Sequence, residues 1–411
     1  MNRISAAAYA AVMSAFAGSA LAEPLTFNAA LARAADAPSL HGRAASVRAA
    51  QSAAIAADQL PDPTLDIAVQ DFPVTGPDAG RLNRDNFTMQ KFGFSQQFTN
   101  PAKRHARAER ASADIGVAQA DLGVEARNVR LQTALAWMDV YYGEKRLAVL
   151  GLLDKSLDDL QLTVSARLAS GSARPSQALE PTQLRAQVAD RRSGVVAEIA
   201  KARALLERWT GDIQADVAGA PPSPDIDRGK LMTGIANLPT LRAMDAQTKA
   251  ADANTRLARA DKNPDWTVNA SYGRREPNYG DLVSVGVSID LPLFSKHRQD
   301  PKIAARGLEA ERARYDRQAA EREVLANLEA DLADHMMHHQ RLENARTSLV
   351  PLAQKRAVLD RDSYAAGKTD LGTALQSTLA VAEAEIDALD REAEVARDAV
   401  RITLTYGEDT Q

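Results

Sequence analysis

The chain has 411 residues, of which 25% are charged and 5% aromatic, and it contains no cysteine. That length admits two or three ordinary domains with a large core, and mixed charge with few aromatics suits long solvated helices better than an α/β enzyme. A formal charge of −4 leaves no electrostatic footprint for nucleic acid, and the lack of cysteine excludes disulfides, thiolate metal sites and a cysteine nucleophile.

Residues 1–22 read as an export signal: Arg3 supplies a positive start, Ile4 to Ala17 is a short apolar stretch, and Ala20-Leu21-Ala22 is a small-x-small cleavage site. Nothing later approaches the ~20 apolar residues of a spanning helix. An exported chain of this kind enters a membrane only as a β-barrel.

From Glu23 to about Asp58 the sequence is alanine-rich with helical spacing, ended by Leu60-Pro61-Asp62-Pro63. Leu65, Ile67 and Val69 then alternate with polar or small residues, predicting a short strand, and a polar loop leads to a second strand from Phe87 through Phe98. Pro101 opens one long helical pattern, about Lys103 to Leu168, with Leu150, Leu153, Leu157, Leu160 and Val164 stepping by three and four. Ser170-Gly171-Ser172 breaks it, a second helix returns to Gly211, and a proline-rich connector follows.

The plan then repeats. Pro38 and Pro63 recur as Pro239 and Pro264, 201 residues later; Phe92-Gly93-Phe94-Ser95 recurs as Val285-Gly286-Val287-Ser288, 193 residues later; Gly171 and Gly211 recur as Gly367 and Gly407, 196 residues later. Offsets that change only inside loops are the mark of a tandem duplication. The expected organisation is a signal peptide (1–22), a first repeat (23–211; strands about 64–72 and 87–98, helical tip near 171), a connector (212–228) and a second repeat (229–411; strands about 265–273 and 282–291, tip near 367). In the second hairpin Trp266, Val268, Ala270 and Tyr272 form one apolar row and Val283, Val285, Val287, Ile289 and Leu291 another. Pro351 predicts a bend in the second long helix where the first has Lys155. Four strands cannot enclose a lumen, whereas three copies give twelve, with every edge paired.

With its signal peptide, its two repeats of helix, hairpin, helix, glycine tip and helix, and Tyr364-x-x-Gly367, the sequence resembles the TolC family of outer-membrane efflux channels. Within that family it looks most like the channel subunits of heavy-metal and cation RND pumps. The resemblance implies a mainly α fold with a small β part: a homotrimer whose 12-stranded barrel sits in outer-membrane lipid and continues as an α-helical periplasmic barrel. It implies a passive conduit in a tripartite pump, with heavy-metal cations as one cargo, docked to a periplasmic adaptor (membrane fusion protein) and energised by an inner-membrane RND-type pump. The tip and aperture residues it points to are Gly171, Arg174, Tyr364, Gly367, Lys368 and Asp370. Two aspartates and an arginine common at the family's aperture are Thr373, Gln376 and Thr369 here, and the acylated cysteine of many relatives is missing.

Other constellations carry less. His335 and His339 lie one turn apart on a helix, beside His338 and with Asp331 a turn earlier, an arrangement open to zinc or copper; a solvated helix face is the favoured reading. Asp158-Asp159 and Asp387 with Asp390 fit solvent-facing coiled-coil positions better than a lumen lining. No nucleophile elbow, phosphate loop or dinucleotide fingerprint is present, so neither an enzyme nor a cofactor is expected. The rival reading is a periplasmic coiled-coil adaptor or scaffold, which would not partition into the outer membrane.

Overall fold

The computed structural model describes residues 24–82, 84–171, 174–212, 216–222 and 226–407; the export signal and part of the connector lie outside these residues. Helices α1 (Phe27–Ala34) and α2 (Pro38–Ala57) precede the hairpin β1 (Thr64–Gln70) and β2 (Met89–Phe98), and α3 (Pro101–Ala169) and α4 (Glu180–Thr210) complete the first repeat. After α5 (Arg228–Gly234), the second repeat runs α6 (Pro239–Ala260), β3 (Trp266–Arg274), β4 (Leu282–Ile289), α7 (Gln299–Asn344), α8 (Val350–Ala365) and α9 (Leu371–Tyr406).

Local chemistry sets these boundaries. β1 stops at Gln70, short of the expected residue 72, because Asp71 turns left-handed at φ 56°. β2 starts at Met89 because Thr88 is drawn into a turn, its N–H donating to Asp85 Oδ1 and its hydroxyl to the Asp71 carbonyl. Asn100 caps α3 by accepting from Ala102 N at 2.9 Å, with Pro101 at the first position. At 69 residues α3 is about 100 Å long. On the other side, α7 and α8 are separated by a single π-turn, Ala345–Leu349, ending just before Pro351. A proline has no N–H to donate and crowds the preceding turn, and the widened π-turn absorbs that mismatch.

The four strands form one antiparallel sheet in the order β1-β2-β3-β4. Its register aligns Leu65 with Phe94, Phe94 with Ala270, and Ala270 with Val285, so the apolar rows of all four strands share one face. The other face carries Asp66, Gly93, Ser271 and Ser284. Among the described residues no helix packs across either face. The helices extend the same order: α2, α3, α6 and α7 lie side by side next to the sheet, and α4, α3, α9 and α8 lie side by side beyond them.

Among the described residues four apolar clusters hold the helices together, the smallest of them Ala34, Ala37 and Val129. Around the waist, Trp137 is fully buried against Leu25, Leu206 and Val400, and its indole N–H donates to the Leu25 carbonyl at 2.8 Å. Further along, Leu150, Leu153, Leu157, Leu160 and Val164 of α3 meet Leu371, Leu375 and Ala382 of α9. The third cluster joins Leu241 of α6 to Leu328 of α7 and Ile402 of α9. Arg127 closes the end of α9, donating to the carbonyls of Thr405 and Gly407.

Candidate functional site: an exposed apolar sheet and a double helical tip

Two regions carry chemistry, one at each end of the molecule. At the first, the apolar face of the sheet is bare: Leu65 and Ile67 are each 70% exposed, Val283 75% and Val285 73%. Soluble chains rarely leave so large a contiguous apolar surface uncovered. Aromatic side chains lie towards both ends of the strands, with Phe98 stacked on Trp266 at 4.3 Å on the helical side and Phe72, Phe87 and Tyr279 exposed on the other. Among the described residues the outer edges of β1 and β4 have no partner strand. No described helix is long and apolar enough to cross a membrane.

At the other end the two helical hairpins turn side by side. Gly171 and Gly367 adopt φ of 73° and 72°, with open space where a Cβ would stand. The second turn is a complete Schellman closure: Gly367 N–H donates to the Tyr364 carbonyl at 3.0 Å and Lys368 N–H to the Ser363 carbonyl at 2.8 Å. Asp370 then caps α9, its Oδ1 accepting from Thr373 N at 2.8 Å. That bond from Thr373, with help from the Thr373 hydroxyl, holds the Asp370 carboxyl below its ordinary pKa. Gly171, Arg174, Gly367, Lys368 and Asp370 are all exposed. Arg174 starts a short 3₁₀ turn, its N–H donating to Gln177 Oε1 at 3.0 Å.

Tyr364 differs from these. It is 3% exposed, packed in the cluster with Leu371 and Leu375, and its hydroxyl has no hydrogen-bond partner among the described residues. Arg167 of α3 lays its guanidinium over the Tyr364 ring at 4.3 Å and donates to the Ala365 carbonyl at 2.9 Å, tying the two tips together. Sequence reasoning missed Arg167. Its one local signal is a basic residue in the last turn before a glycine-ended helix. At the positions of the family's aperture aspartates, Thr373 is half-buried and Gln376 exposed.

The histidine cluster is only in part the solvated face expected of it: His339 is exposed, while His335 and His338 are half-buried. His338 sits between α7 and α9, with Nδ1 at 2.6 Å from Asp398, which is 5% exposed, and Nε2 at 3.7 Å from Glu394. Arg401 links Asp398 to Asp331, which also accepts from the Tyr406 hydroxyl at 2.8 Å. Burial pushes the His335 pKa down. No three His, Cys, Asp or Glu side chains among the described residues are placed to hold one metal ion. Of the helix aspartates, Asp158 pairs with Arg185, Asp387 with Arg391 and Asp390 with Arg146, Asp159 is exposed, and burial raises the Asp390 pKa.

A bare apolar sheet with open edges is continued by long helices to a glycine-turned double tip. Residues 233–408 match the family model described as outer membrane efflux protein. The chain is 27% identical over 290 residues to the nickel and cobalt resistance protein CnrC of Cupriavidus metallidurans, covering 68% of this chain and 66% of that one. To the nickel-cobalt-cadmium resistance protein NccC of Alcaligenes xylosoxydans xylosoxydans it is 27% identical over 294 residues, 68% of this chain and 63% of that one. The matched region thus spans just under two thirds of the length of these relatives. In fold the chain is similar to the outer-membrane channel OprN, with a TM-score of 0.77 at 18% identity, covering 93% of this chain and 89% of that one. Residues 233–408 thus carry the pattern of the outer membrane efflux protein family, and the chain as a whole has the fold of the outer-membrane channel OprN.

Proposed function

We propose that three copies of this chain assemble into a passive conduit from periplasm to exterior, the channel subunit of a tripartite pump. The observation that carries this reading is the position of the unpaired edges. β1, α2 and α4 all lie at one side of the subunit, and β4, α7 and α8 all lie at the other. A head-to-tail contact between copies therefore extends sheet and both helical layers at once, and a closed ring leaves no edge exposed. Three copies supply twelve strands with an apolar exterior and a polar interior, the arrangement that satisfies every backbone group in lipid. Each repeat contributes one hairpin to the barrel, one pair of long helices and one tip.

The tips are the natural docking surface for a periplasmic adaptor, which in turn would link the channel to an inner-membrane RND-type pump. Gly171, Arg174, Gly367, Lys368 and Asp370 present that surface, while Tyr364 and Arg167 set the spacing of the two turns beneath it. A divalent transition-metal cation is the favoured cargo, supported by the nickel and cobalt named for CnrC and the nickel, cobalt and cadmium named for NccC. An adaptor identity for this chain is set aside, because an adaptor would not bare an apolar sheet of this kind.

The test uses the lack of native cysteine. A single Lys368→Cys carrying a photoactivatable crosslinker should capture an adaptor in cells, while the same label at Ser284 should capture none. Equal capture from both positions, or capture from Ser284 alone, would remove the tip as the docking surface.

A further inference from the structure

We propose that the segment joining β4 to α7 is a lipid anchor that grips the periplasmic leaflet of the outer membrane through anionic phospholipid headgroups. The proposal rests on the barrel reading above. After β4 the apolar row continues into Leu291, 64% exposed, and is followed by Leu293 at 75% and Phe294 at 69%. Immediately beyond stand Lys296, His297 and Arg298, all exposed, and none has an ion-pair or side-chain hydrogen-bond partner among the described residues. An apolar wedge followed at once by the unpaired cations Lys296 and Arg298 is what an interfacial segment needs: acyl chains take the wedge and headgroup phosphates meet the cations.

One observation favours lipid over a neighbouring copy of the chain. The segment lies at the helical end of the sheet, beside the stacked Phe98 and Trp266, at the depth where a bilayer surface would cross the subunit. The β2–α3 junction at the same depth differs, because Lys103 there is paired with Asp265 and Arg104 donates to the Asp58 carbonyl, which leaves the free charge to Lys296 and Arg298.

The full-length protein, extracted in detergent, would be examined by native mass spectrometry with phosphatidylglycerol or phosphatidylcholine added. The wild type should retain phosphatidylglycerol preferentially. Each cation near an anionic surface strengthens association about fivefold, so replacing Lys296 and Arg298 with glutamine should weaken retention about 25-fold while leaving the trimer intact. Phe294→Ser, expected to lower retention of both lipids, tests the apolar half. A wild-type trimer that holds both lipids equally, or a Lys296→Gln/Arg298→Gln variant unchanged in retention, overturns the anchor and leaves the barrel standing. Loss of trimers in the charge variant, with lipid retention per chain unchanged, also overturns it, because the segment would then be a subunit contact. A soluble wild-type monomer would instead remove the barrel reading, and the anchor with it.

Discussion

Val285→Arg tests the lipid-facing assignment of the sheet near the middle of an exposed strand. Val285 lies near the middle of the eight-residue β4, pairs with Ala270 and is 73% exposed. An arginine near the bilayer midplane costs about 2–4 kcal/mol on a lipid-facing strand, so three copies in one ring cost about 6–12 kcal/mol per assembly. That is comparable with the whole stability of a folded domain, about 5–15 kcal/mol. Ser284→Arg is the matched control. Its position pairs with Ser271 on the polar face, where the guanidinium would reach lumen water at little cost. Refolding into phospholipid vesicles across a urea titration, with heat-resistant trimer scored on gels, reads both variants. Val285→Arg should shift the midpoint strongly to lower urea and deplete trimers, while Ser284→Arg stays near wild type. Unchanged assembly of Val285→Arg, or greater damage from Ser284→Arg, would show that this face is not in lipid.

Further outcomes are expected elsewhere in the molecule. Asp398→Ala leaves His338 and Arg401 without their buried acceptor; because Arg401 keeps Asp331, the loss should be about 2–3 kcal/mol, seen as a lower thermal midpoint, and His338→Asn should cost less. Gly367→Val places a branched side chain at φ 72°, so the tip should open and the Lys368 amide exchange faster with deuterium, with no change in barrel assembly. The depressed pKa of Asp370 means its cap stabilises the tip at any pH above the ordinary carboxylate value, about 4. Protection of the Thr373 amide, after correction for intrinsic exchange, should therefore hold from pH 7 to 5 and be lost as pH falls through the folded pKa; Asp370→Ala should abolish that dependence, and a persisting acid transition would assign it elsewhere.

The barrel hairpins were legible because a strand's period of two places Val283, Val285, Val287 and Ile289 on one face whatever lies around them. The helical seam was legible for the same reason at a longer period: Leu150 to Val164 and Leu375 to Val400 each trace one stripe of a helix, and those stripes meet in the core. The glycine tips could be read because a left-handed turn selects glycine. What could not be read depends on residues far apart in sequence. His338 finds Asp398 sixty positions later on another helix, and Arg167 reaches Ala365 across 198 residues. Nothing in Asp-His-Met-Met-His-His announces a buried ion pair, so a solvated face was the natural expectation. Pro351 marked a disturbance in the second long helix, but only the structure shows it taken up by a π-turn. The end of β1 at Asp71 was equally hidden, because a left-handed non-glycine residue leaves little trace in composition.

The central claim is that the open sheet of one chain is completed by two others in the outer membrane. Its most direct test is the mass of the detergent-extracted protein taken separately from inner and outer membranes. A trimer in the outer-membrane fraction is the predicted result. A soluble periplasmic monomer would contradict the account, because the four strands would then form a private sheet and no channel.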